Sequence, residues 1–126
     1  MAYRMYNPNP YGLLVGDCVV RAISTATGKD WKTVYIELAM QGYSMGDMPS
    51  SNSVWGAYLM NEGYARHVLP DNCPDCYTVS EFCVDNPEGK FILATGSHVV
   101  CVIDGDYMDI WDSGQEVPVF YWKKEE

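Results

Sequence analysis

The sequence predicts an α+β protein in which N-terminal helices pack on a C-terminal antiparallel β-sheet. Three observations carry this prediction. Apolar residues recur with helical spacing between about residues 18 and 85. After Pro87 the chain changes to short runs rich in Val, Ile, Phe, Tyr and Trp, separated by Gly or Asp turns. The helical segments precede the strands instead of alternating with them, which disfavours a parallel βαβ sheet. A length of 126 residues suits one domain with one core, spanning 1–126 with a helical half at about 18–85 and a sheet half at about 90–123.

The elements follow in order. Residues 1–17, rich in Asn, Pro, Gly and Tyr, read as a loop. Val19, Ala22, Ile23 and Ala26 form the apolar stripe of a first helix that Thr27-Gly28 ends. Asp30 is an N-cap for a second helix bearing Trp31, Val34, Tyr35 and Leu38, with Gly42 as its stop. Ser51 or Ser53 caps a third, with Val54, Ala57 and Tyr58 on one face and a stop at Asn61–Gly63. Tyr64–Leu69 reads as a short strand. Thr78-x-x-Glu81 is a capping box that starts a short helix over 79–85. Strands are expected at Phe91–Thr95, His98–Asp104, Tyr107–Asp112 and Val117–Trp122.

Composition excludes several classes. A net charge of −9 argues against nucleic acid as a partner, because phosphates need a basic face. No apolar run approaches the ~20 residues that a membrane-spanning helix requires. The segment MAYRMYNPNPYG lacks the features of a signal peptide, which points to the cytoplasm. Five cysteines, an odd count, then suggest free thiols in a reducing compartment.

The chemistry begins at GDCVVRAIS, residues 16–24, which puts Cys18 in the first turn of the first helix. Unpaired N–H groups and a partial positive charge gather at a helix N-terminus and stabilise a thiolate there, and they can hold a developing oxyanion. Arg21, one turn on, adds a cation. Such a cysteine needs a base, and His98 opens the strand HVVCVID. If Asp104–Asp106 is a three-residue hairpin loop, Ile103 pairs with Tyr107 and His98 faces Asp112. One face then reads His98, Val100, Val102, Met108, Ile110, Asp112, apolar except for a His–Asp pair. A two-residue turn at Asp104-Gly105 would set Asp109 against Val100, so the hydrophobic pattern favours the longer loop. The resulting candidates are Cys18 as nucleophile, His98 as base and Asp112 as its orienter.

A separate set, His67, Cys73, Cys76 and Cys83, has the donor types of a structural zinc site, although its spacing is not that of a common finger. It stands as a minor alternative, and the thiol chemistry itself calls for no cofactor. Cys101 alternates with Val99 and Ile103 and reads as core.

GDC (16–18), GSHVVCVIDGD (96–106) and DIWDSG (109–114) together resemble the papain-like cysteine peptidase superfamily. The tail is most similar to its small bacteriocin-leader-peptidase-like branch and to small bacterial and phage proteins of that type. The resemblance implies a minimal papain-like fold and a Cys18–His98–Asp112 triad that cleaves a peptide or other amide bond through a thioester. The superfamily often carries a glutamine about six residues before the cysteine as oxyanion donor. Here that position is Gly12, which leaves Asn9, and behind it Asn7, as the candidate amides. The implied partner is a peptide or protein substrate. A binding module on the same fold, without turnover, is the other expectation.

Overall fold

The computed structural model describes residues 2–125. Among them, four helices and six strands form an α+β fold with a mixed sheet. The elements are β1 (Tyr3–Met5), α1 (Cys18–Thr27), α2 (Trp31–Met45), α3 (Asn52–Asn61), β2 (Tyr64–Val68), α4 (Val79–Asp85), β3 (Lys90–Ala94), β4 (Val99–Ile103), β5 (Asp106–Asp109) and β6 (Phe120–Lys124). The strand order is β1-β5-β4-β3-β6-β2. All pairings are antiparallel except β1 with β5, so the expected antiparallel sheet gains one parallel edge from a segment read as loop.

The sheet is covered on both faces. Val19, Ala22, Ile23 and Ala26 of α1 meet Ile92, Val99, Cys101 and Trp122, and Val34, Leu38, Trp55 and Leu59 of α2 and α3 complete that cluster. On the other face Val79, Phe82 and Cys83 of α4 pack on Phe91, Leu93, Val100, Val102 and Tyr107. Two helix starts behave as their sequences dictate. Asp30 accepts from the Thr33 N–H, and Thr78 from the Glu81 N–H, as side-chain caps.

Gly42 does not stop α2, which runs on to Met45 and ends at Gly46 in the left-handed region. Gly42 has another purpose: a Cβ there would lie 2.6 Å from the Asp47 carbonyl oxygen, so only glycine admits the returning 47–49 backbone.

The β4–β5 hairpin corrects the expected register. Cys101 pairs with Met108, Val102 with Tyr107 and Ile103 with Asp106. Asp104 and Gly105 form a two-residue turn with φ of 49° and 81°. Positive φ at both central positions matches the right-handed twist of the flanking strands. The next rung sets Asp109 against Val100, the arrangement the hydrophobic pattern had disfavoured.

Candidate active site

The apolar stripe of α1 lays the helix along β4, so its first turn meets the residue that precedes that strand. Cys18, the first residue of α1, is half-buried there beside His98. His98 Nε2 lies 2.6 Å from Asp109 Oδ2, with side-chain exposures of 9% and 1%. The other ring nitrogen is left for the thiol. Trp111 lies against the imidazole, ring centroids 4.8 Å apart.

Asp109 is buried but fully partnered. Besides His98, Oδ2 accepts from Ser113 Oγ at 2.7 Å, and Oδ1 accepts from the Ile110 N–H at 2.8 Å and from Arg21 Nη2 at 3.3 Å. Arg21 is itself buried, and its Nη1 donates to Asp17 Oδ1. Asp17 Oδ2 in turn accepts from Trp31 Nε1 at 2.9 Å and from Asn9 Nδ2 at 3.5 Å. Asp17 occupies the N-cap position of α1 but makes no side-chain cap. Arg21, Trp31 and Asn9 hold its carboxylate instead, so the first-turn N–H groups beside Cys18 keep their capacity to bind an anion.

The charges along this network alternate in sign. Burial raises the Cys18 thiol, but hydrogen bonds to the His98 ring and the Val99 backbone, with the charges of His98 and Arg21, bring it below the ordinary thiol value. Burial disfavours charged His98, yet the Asp109 hydrogen bond, the Cys18 hydrogen bond and the negative charges of both raise it to about 9. Burial likewise opposes ionised Asp109, and hydrogen bonds from His98 and Ser113 hold it below the usual carboxylate range. These shifts favour a thiolate–imidazolium pair at neutral pH.

A cavity of about 350 Å³ opens at Cys18. Leu38, Trp55 and Ala94 give it apolar walls, and Ser50, Asn52 and Ser97 give it polar ones. Asn52 Oδ1 accepts from Trp55 Nε1 at 3.1 Å, leaving its NH2 as a donor.

The structure brings Cys18 and His98 together as expected and separates the other expected members. Asp112 does not hold His98. Its Oδ1 accepts from Tyr107 Oη at 2.6 Å and from the Gly114 N–H at 3.1 Å, because the shorter turn moves Asp109, not Asp112, toward the histidine. Asn9 and Asn7 do not line the cavity. Asn9 Oδ1 accepts from the Tyr11 N–H, and Asn7 bridges the Asn9 N–H and the Leu13 carbonyl, so both shape the loop as Asx turns. The zinc set is dispersed. Cys73 and Cys76 are joined in a disulfide, against the expectation of free thiols. Cys83 lies in the α4-side core, and His67 stacks on Tyr121. Among the described residues no group of His, Cys, Asp and Glu is placed to hold a metal ion. Sequence reasoning missed Asp109 and the bridging role of Arg21. The Asp-Gly dipeptide at 104–105, a strong two-residue hairpin signal, could have led to the first.

No protein-family model matches the chain, and neither a curated protein nor a solved structure gives a significant match. Among the described residues no helix is long and apolar enough to cross a membrane.

Proposed function

We propose that the protein is a small papain-like thiol hydrolase acting on a peptide or other amide bond, with Cys18 as nucleophile, His98 as acid and base, and Asp109 as orienter. The observation that carries this reading is the series Cys18–His98–Asp109: the His98 ring lowers the Cys18 thiol, His98 Nε2 lies 2.6 Å from Asp109 Oδ2, and a cavity lined by both Cys18 and His98 opens at the sulfur end. The Cys18 thiolate attacks the carbonyl carbon, and the oxyanion forms beside the N–H groups of the first turn of α1. His98 gives its proton to the departing amine as the C–N bond breaks, leaving a thioester. Water then adds to the thioester while His98 takes one of its protons, the C–S bond breaks, and the acid leaves. Asp109 holds the imidazole in one tautomer and stabilises its cation throughout.

A second reading, a peptide- or protein-binding module on the same scaffold, is favoured by one observation. Tyr11, Leu13, Leu14 and Val15, just ahead of Gly16, are exposed apolar side chains that the chemistry does not use. One experiment separates the two readings. The wild type is incubated with a peptide library, quenched in acid and mapped by mass spectrometry. The expected result is new peptide termini and an acyl adduct on Cys18, both lost in Cys18→Ala. Peptide capture that survives Cys18→Ala, with no cleavage and no adduct in the wild type, would establish the binding module instead.

A further inference from the structure

Arg21 joins the two carboxylates that flank the site. Its Nη1 holds Asp17, the residue before the nucleophile, and its Nη2 holds Asp109, the carboxylate on His98, 88 residues away in sequence. The side chain is 7% exposed, and its two carboxylate partners are 6% and 1% exposed. Such a buried ion pair is weak grounds for stability, since well-packed apolar residues often replace one without loss. A role in orientation accounts for it better. A planar guanidinium presents a rigid fork of donors and can fix two carboxylates at once, which an ammonium cannot do with the same geometry.

We infer that Arg21 is a positioning residue that acts through Asp17 and Asp109, locking the Cys18 end of α1 to the carboxylate that holds His98 and so setting the pH range over which the thiolate exists. The inference rests on the thiol-hydrolase reading. The charged and titratable groups around the network are Asp17 at the N-cap of α1, Cys18 on α1, His98 ahead of β4 and Asp109 at the end of β5. Tyr3 on β1 and Asp112 after β5 lie beyond Asp109. Without Arg21, Asp17 and Asp109 keep no common cation, the thiolate loses a nearby positive charge, and the His98 orienter loses one of its anchors.

The test is the pH dependence of iodoacetamide alkylation at Cys18, located by mass spectrometry, in the wild type, Arg21→Met and Arg21→Lys. Buried Cys83 and Cys101 report an intact fold by staying unreacted. The wild-type half-point is expected below the ~8.5 of a free thiol, and Arg21→Met is expected to raise it by about one pH unit. Arg21→Lys keeps the cation but loses the fork, and is expected to fall between the two. If Arg21→Met exposes Cys83 and Cys101, Arg21→Lys decides: an intermediate half-point supports the inference, and an unmoved one overturns it. A low wild-type half-point that Arg21→Met leaves in place, with the other thiols protected, overturns the inference alone. A wild-type half-point at the free-thiol value overturns the proposed function and this inference together.

Discussion

Asp109 reaches His98 on the diagonal of the β4–β5 ladder, one rung beyond the paired strand residues, and holds Nε2 at 2.6 Å. Diagonal neighbours on one face of an antiparallel pair stay within reach of long side chains. The residue directly across from His98 in this register is Trp111, whose ring lies against the imidazole, and Asp112, one position on, spends its carboxylate on Tyr107 and the Gly114 N–H. The two acids therefore make a paired experiment. Asp109→Asn is expected to lower turnover by roughly 10²-fold or more, since an amide neither stabilises the imidazolium nor selects its tautomer in the same way. Asp112→Asn is expected to stay within about twofold of the wild type, because it alters a tyrosine contact outside the series. Steady-state kinetics on one cleaved peptide checks both, and equal losses would remove Asp109 from its assigned role.

The same pair sets how stability depends on pH. His98 is raised from 6.5 to about 9 in the folded protein, so its contribution is complete below about pH 6.5 and is lost as pH rises through about 9. Asp109 is depressed, so its contribution is present above the ordinary carboxylate value of ~3.9 and is lost as pH falls through its lower folded value. Urea midpoints measured between pH 5 and pH 10 should decline toward the alkaline end in the wild type. In His98→Ala that decline should be shallower. Parallel curves for the two proteins would show that His98 does not carry the alkaline loss.

Much of the framework was legible because it is local. The i, i+3, i+4 stripe of α1, the Asp30 cap and the Thr78–Glu81 box are short-range patterns with short-range causes. The β4–β5 register was misjudged for a physical reason. Hydrophobic patterning assigns a cost to a carboxylate on an apolar face, and Asp109 avoids that cost through His98, Ser113, Arg21 and the Ile110 N–H. Those partners come from three separate stretches of chain, so no window of sequence contains them. β1 was illegible for a different reason: three residues carry no periodicity, and their strand state comes from parallel pairing with β5. Local rules fail most readily where a site is built.

Gly42 tests the packing that closes the cavity from the α2 side. Helix propensity alone favours Gly42→Ala by up to ~1 kcal/mol, since alanine is the better helix former. The structure opposes it, because the new Cβ would lie 2.6 Å from the Asp47 carbonyl oxygen and 3.3 Å from the Pro49 nitrogen, both backbone atoms that cannot swing aside. Overpacking of this kind costs about 1–3 kcal/mol, so the net effect is expected to be destabilising. Pro49 and Ser50 follow in the same loop and line the cavity, so turnover should fall as well. A urea midpoint raised by the substitution would mean that the 47–49 loop yields freely.

The cavity and the sulfur can be tested separately. Ser97 lies on the cavity wall in the turn between β3 and β4, and its N–H donates to Thr95 Oγ1 at 3.3 Å while its side chain joins no part of the Cys18–His98–Asp109 series. Ser97→Trp adds bulk to a space of about 350 Å³ without touching the acid–base groups. A peptide must occupy that space to present its carbonyl to Cys18, whereas iodoacetamide is small enough to reach the sulfur past a partial block. The variant is expected to cut peptide turnover at least tenfold, mainly through KM, while Cys18 alkylation stays within about twofold of the wild type, since binding and activation are separate contributions. Loss of both together would mean that residue 97 governs the thiol itself. Loss of neither would move the substrate to another face of the protein.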